Sequence, residues 1–343
     1  MAIALPAVVC AVALFAKFSG RDVQRPLRVL RYVLAAELIA LLTLCTIGYL
    51  YEQRARARDA RLYQPPGRLL DVGGYRLHLN CTGENAPTVV LEYGLEGSYL
   101  DWYKVQPEIA RFARVCSYDR AGYGWSDTSP RPRVPSVMAD ELYRLLQAAG
   151  EKPPYILAAH SYGSVVGQTF AFRYPNETAG LVLIDGVHLR ESPLFPLSHR
   201  LWLRFMQWTM PLGLPRWRDW CAGGPPELHA MAEAANCRSR AYATSYREWS
   251  QLGESGAEMR GITNLGNIPL VVISRDPVLG HDRDEAASHA QQQRDALKLS
   301  SNSRLIIAEG SGHDVPLARP DVIIDAVRSL VKLREQAGSR GTP

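Results

Sequence analysis

The 343-residue sequence contains no Cys-x2-Cys pair and no His-Glu-x-x-His segment, the spacings by which metal sites show themselves, so no metal is expected. It also lacks a glycine-rich phosphate loop, which removes the simplest ground for expecting a nucleotide or another cofactor. No repeat of fixed period is present. Charge of one sign is nearly absent as well: 39 Lys and Arg face 34 Asp and Glu, and the excess sits in residues 1–61, which hold nine basic and four acidic residues. The remainder is balanced and has no cationic run, which argues against a nucleic-acid partner. Cysteines number six. Cys10 and Cys45 fall in apolar stretches and Cys81 and Cys116 in expected strands. Cys221 and Cys237 are the pair that a disulfide would suit, in an oxidising compartment, and their pairing is left open.

What is present begins with apolar length. Residues 32–51, YVLAAELIALLTLCTIGYLY, approach the ~20 residues that a bilayer requires and carry tyrosines at both ends, as interfacial anchors do. Glu37 inside them is a cost, softened by its place near one end. Residues 2–16 are shorter and interrupted by Pro6, so one or two spans are expected, and no basic residue precedes them as in a cleaved signal. Basic residues lie on both sides of the second stretch, so the side of the membrane taken by the rest of the chain stays open. A membrane location is expected, with the lipid bilayer a partner of the N-terminal segment.

After a linker ending at Pro65-Pro66-Gly67, strand and helix signals alternate. Leu69–Val72 and Tyr75–Cys81 flank Gly73-Gly74 as a hairpin. Strands follow at Pro87–Glu92, Arg114–Asp119, Pro154–Ala159, Leu181–Asp185, Pro269–Ser274 and Arg304–Glu309. Helices are expected near Tyr103–Phe112, Val137–Ala149, Ser161–Tyr174, Asp284–Leu297 and Asp321–Leu333. Continuous apolar strands alternating with amphipathic helices predict a mostly parallel sheet covered on both faces, the α/β class. Residues 186–268 break the alternation and hold five of the seven tryptophans, which predicts a helical cap whose aromatics are mainly its own core, the rest lining a pocket or touching the bilayer. The expected organisation is a membrane region at 1–61, core at 62–186, cap at 187–268, core again at 269–334 and a tail at 335–343.

One stretch carries chemistry on its face. In LAAHSYG, residues 157–163, a serine sits between a buried strand and a helix, with Ala159 and Gly163 two positions to either side. So abrupt a turn lifts Ser161 into solvent on a strained backbone, and small neighbours let the chain pass closely. A nucleophile is expected there; the alternative is a serine that caps the following helix.

Six stretches then align in order: EYGLEGSYLDW (92–102), YDRAGYGWSD (118–127), AHSYG (159–163), LVLID (181–185), VVISRDPVLG (271–280) and GSGHDVPLARP (310–320). Together they resemble the alpha/beta-hydrolase superfamily from about residue 69 to 334. The resemblance implies an eight-stranded, mostly parallel sheet with a helical cap and a triad in the chain order Ser, Asp, His. Ser161 would be the nucleophile, His313 the base and Asp276 the acid, with Asp185 and then Asp282 as alternatives for the acid. The backbone N–H groups of Leu95 and Tyr162 would form the oxyanion hole, although Tyr93-Gly94 stands where many relatives carry His-Gly. His160 is expected to pack beneath the turn. Glu92 and Glu96 are expected to face water rather than brace the loop, and Asp119, Arg120 and Asp127 to hold loops in place.

A serine at the turn points to acyl chemistry, whereas epoxide- and halide-displacing relatives use an aspartate. The expected function is a membrane-anchored serine hydrolase of the carboxylesterase or lipase kind, acting on an apolar acyl substrate. The alternatives are a non-catalytic protein binding a small ligand on the same fold and a membrane-interaction protein with a vestigial core.

Overall fold

The computed structural model describes residues 24–187, 189, 195–224, 226–279 and 283–339. The apolar stretch 2–16 and Asp282 lie outside them. A single helix, α1 (Gln24–Leu62), contains the whole of residues 32–51 and runs straight on into the linker. Eight strands follow: β1 (Arg68–Asp71), β2 (Arg76–Thr82), β3 (Val89–Glu92), β4 (Val115–Asp119), β5 (Tyr155–His160), β6 (Thr178–Ile184), β7 (Leu270–Arg275) and β8 (Ser303–Ala308). They form one sheet in the order β1-β2-β4-β3-β5-β6-β7-β8. β1 and β2 run antiparallel to their neighbours and the other pairings are parallel. The hairpin turns at Gly73 and Gly74, both at positive φ, where the Asp71 carboxylate accepts both glycine N–H groups.

Strand residues alternate between two buried layers. Val90, Leu157, Leu181, Leu183 and Val272 pack against α3 (Pro135–Ala149) and α4 (Gly163–Arg173). Their neighbours Val89, Leu91, Ile156, Val182 and Ile273 pack on the opposite face, against the short α2 (Gln106–Ile109) and the C-terminal α12 (Pro320–Ser339). Burial on both faces is why these strands read as unbroken apolar runs. α10 (Arg283–Leu297) and the short α11 (Val315–Ala318) complete the core.

Between β6 and β7 lies the cap: α5 (Leu197–Thr209), α6 (Leu214–Trp217), α7 (His229–Asn236), α8 (Ser239–Ser250) and α9 (Leu252–Arg260). Leu203, Met206 and Met210 supply its interior, whereas four of its tryptophans, Trp202, Trp208, Trp217 and Trp220, are exposed. Cys221 and Cys237 are joined in a disulfide. So are Cys81 and Cys116, directly opposed residues of β2 and β4.

Candidate active site

Ser161 follows the last residue of β5 at φ 52°, a left-handed conformation that costs a non-glycine residue energy and turns its side chain up out of the sheet. Small residues make the turn possible. A Cβ on Gly163 would lie 2.5 Å from the Tyr93 carbonyl oxygen, and one on Gly167 would lie 3.0 Å from the Ala159 methyl. Helix α4 therefore starts at Gly163, two residues later than the sequence suggests. Ser161 is the apex of the turn and does not cap the helix.

Three side chains from three strand ends meet at this apex. The Ser161 hydroxyl lies 2.8 Å from Nε2 of His313, which stands on the loop after β8. His313 Nδ1 lies 2.6 Å from Oδ2 of Asp185, the residue directly after β6. An anionic carboxylate accepts only, so Nδ1 carries the proton and Nε2 is left to accept from the serine. The C-terminal ends of parallel strands are where this class of sheet gathers its sites.

Asp276, the acid expected from position in the chain, makes no such contact. Its Oδ1 accepts from the Val278 N–H and its Oδ2 from the Gly310 N–H, both at 2.9 Å, while its own N–H donates to Ser311 at 2.9 Å. Those two N–H bonds hold its carboxyl below the usual range. Asp276 thus pins the turn that carries His313 and leaves the imidazole to Asp185. The sheet explains the difference: β6 adjoins β5, with Ile184 in register with His160, while β7 is one strand further from the serine.

Asp185 collects further donors. His289, on α10, lies 2.9 Å from its Oδ1, and the Arg275 N–H donates to the same oxygen at 3.0 Å. Burial pushes the carboxyl up, but the hydrogen bonds from His289, His313 and Arg275 outweigh it and hold Asp185 well below the ordinary carboxylate range. His289 gave no sign of itself in the sequence, where it is one of eight histidines, in the middle of a polar helix.

A further histidine is His160, expected to pack beneath the turn. Its Nε2–H donates to the His313 carbonyl at 2.9 Å and its ring packs against the His313 ring, so it supports the histidine loop. Burial, with His313 alongside, lowers its pKa to about 4, which leaves it neutral.

The loop after β3 passes directly over the serine: a Cβ on Gly94 would lie 3.0 Å from Ser161 Cβ and 3.4 Å from Oγ. Among the described residues neither the Leu95 nor the Tyr162 N–H donates to a protein acceptor. Arg120 holds this loop from below, donating to the carbonyls of Tyr93 (2.7 Å) and Gly94 (2.8 Å) and to Glu92 (2.6 Å), while the Tyr93 hydroxyl accepts from the Arg120 N–H at 2.6 Å. Where many relatives carry His-Gly, the tyrosine of Tyr93-Gly94 therefore takes part in the loop's support. Glu92, expected to face water, braces it instead, whereas Glu96 is exposed as expected and also ties the loop to the cap. Glu92 is buried between Arg120 and Tyr118, and Glu96 accepts from Ser245 at 2.6 Å and Trp249 at 3.1 Å on the cap. Asp119 bonds His78 and the N–H groups of Tyr99 and Trp125, and Asp127 pairs with Arg76, which are structural roles.

One gathering of three potential metal ligands occurs among the described residues, Cys81, Cys116 and Glu151, and its two sulfurs are bonded to each other.

A sequence profile of the family described as "alpha/beta hydrolase fold" matches residues 87–243. An uncharacterized protein of Schizosaccharomyces pombe is 28% identical over 77% of this chain, and the match spans about half of that protein, 55%. A protein of Gibberella zeae named as an AB hydrolase superfamily member is 27% identical over 74% of this chain and 88% of its own. Among solved structures, the enol-lactonase of Burkholderia xenovorans superposes with a TM-score of 0.60 at 21% identity, covering 77% of this chain and all of its own (100%). Matched segment, strand order and structural neighbour agree: this chain has the alpha/beta-hydrolase fold.

Proposed function

We propose that the protein is a membrane-anchored serine hydrolase that cleaves carboxylic esters or related acyl bonds through an acyl-enzyme intermediate. The observation that carries this reading is the continuous chain of contacts from Ser161 through His313 to Asp185. Ser161 Oγ attacks the acyl carbon while its proton passes to His313 Nε2. Asp185 keeps Nδ1 protonated and stabilises the imidazolium that results. The N–H groups of Leu95 and Tyr162 take the developing oxyanion, a pair of donors whose removal typically costs ~10²–10³ in rate each. His313 then protonates the leaving group, and water repeats the sequence to release the acid. No cofactor is required. The substrate is an apolar acyl compound of small-molecule size.

Anchoring is supported by α1, whose segment Leu27–Leu62 is long and apolar enough to cross a membrane and whose apolar side chains lie outside the protein core. A protein that merely bound a ligand on this fold would have no need for a serine held within reach of a base. The test is a fluorophosphonate probe: it should label the intact chain and leave Ser161→Ala unlabelled. Equal labelling of both would sink the assignment.

A further inference from the structure

We propose that the exposed face of the cap, formed by α5 and α6, is a second membrane contact seated in the interfacial layer of the leaflet that α1 leaves. The proposal rests on α1 spanning the bilayer.

α5 is apolar on two sides. Leu203 and Met206 turn inward. On the other side Leu197, Leu201, Trp202, Phe205 and Trp208 follow the spacing of one helical face and stand in the open, Trp208 being 70% exposed. α6 continues the surface with Trp217, 69% exposed. A soluble protein gains nothing from tryptophan in water, whereas at the headgroup level its ring is apolar on one side and wet on the other.

The joint between α1 and the cap fixes the height of this face. Gly48 and Tyr51, at the end of the apolar run, pack against Leu212 and Gly213. The approach is so close that a Cβ on Gly48 would lie 2.3 Å from the Leu212 carbonyl oxygen. One turn further, the buried Arg216 guanidinium joins Glu52 at 2.9 Å and Asp59 at 2.8 Å. From Tyr32 to Tyr51 the helix rises ~28 Å, close to the ~30 Å thickness of a hydrocarbon core. Once those residues fill the bilayer, Leu212 and Gly213 stand at its surface. Trp208 lies one turn before that point in the chain and Trp217 one turn after it. Both belong to the same interfacial layer as the exit of the helix. Arg200, Arg204 and Arg218, interspersed with the aromatics, suit a layer of phosphate headgroups.

The sequence allows a clean test, because residues 1–101 contain no tryptophan and α1 is silent in tryptophan fluorescence. The full chain is reconstituted into phosphatidylcholine vesicles with or without bromine on the acyl chains. Brominated lipid should quench a substantial part of the emission, and the double variant Trp208→Phe/Trp217→Phe should lose a clear part of that quenching, Trp202 and Trp220 keeping the rest, while hydrolysing a soluble short-chain ester at the wild-type rate. Equal emission in both vesicles, or equal quenching of wild type and variant, overturns the proposal. An alkaline wash separates its failure from that of the anchor: a chain that stays with the vesicles unquenched keeps the anchor and loses the cap contact. A second copy of the chain covering the face would give that same result. A chain that washes off loses both.

Discussion

The carboxylate of Asp185 receives two imidazoles, one from His313 and one from His289. Only the first touches Ser161, the proposed nucleophile, so His289 would act through Asp185 as a positioning residue. Its bond to Oδ1 fixes the plane of the carboxylate and so the direction in which Oδ2 meets His313. Hydrogen bonds to a charged group contribute ~1.5–3 kcal/mol, and if that is lost from the transition state, His289→Ala should lower kcat by roughly ten- to a hundredfold with KM little changed. His289→Gln, which restores an N–H donor, should recover part of it. A merely structural role would instead lower the amount of folded enzyme at unchanged kcat. Steady-state kinetics on a short p-nitrophenyl ester, normalised to titrated active sites, tells the two apart.

Elements set which of these residues meet. Ser161, Asp185 and His313 share one edge because β5 and β6 are neighbours in register and the loop after β8 folds back over them. The loop is tied down by Asp276 and His160, and the loop after β3 by Arg120. Disulfides operate at this scale too. Cys81 joins the antiparallel β2 to β4, and Cys221, in the segment after α6, is joined to Cys237, directly after α7, across 16 residues. Two such bonds call for an oxidising compartment, and with the proposed anchor the sheet and cap should then face the exoplasmic side. Treating membranes with a maleimide polymer before and after reductant checks this. None of these four cysteines should shift the chain on a gel until a reductant is added. Modification of any of the four without reductant contradicts the pairing.

For the molecule as a whole, much of the architecture is legible in the chain because burial writes itself into it. Strands covered on both faces must be apolar throughout, the Gly73-Gly74 turn needs positive φ, and the bend at Ser161 tolerates only small neighbours. What required three dimensions is of another kind. Asp185 and Asp276 both follow strand ends, and only the lateral order of β5, β6 and β7 says which one faces His313. Cys81 and Cys116 meet because β4 lies beside β2, an arrangement that skips β3 and that spacing along the chain does not encode. Composition marked the cap's tryptophans but not their direction: Leu, Met and alanine fill its interior and several aromatics point outward.

Global stability should also feel one partly buried acid. Burial pushes Asp101, beside the loop over the serine, from an ordinary carboxylate value up to about 7. The folded state then holds its proton more tightly than the unfolded chain. That contribution to stability is complete below the unfolded value and is lost as pH rises through about 7. Asp101→Asn, which does not titrate, should melt progressively higher relative to wild type as pH rises from about 4 to about 7 and keep a constant lead of a few degrees above that in thermal denaturation. Melting curves that shift in parallel would show that the carboxyl is not held protonated.

The pairing of His313 with Asp185 is tested most directly by two isosteric changes set side by side. Removing the orienting acid of such a triad while keeping its shape lowers kcat by ~10⁴. Asp185→Asn should therefore lose about four orders of magnitude in kcat on a p-nitrophenyl ester, while Asp276→Asn should lose about tenfold or less. The reverse ranking, with Asp276→Asn inactive and Asp185→Asn close to wild type, would contradict it.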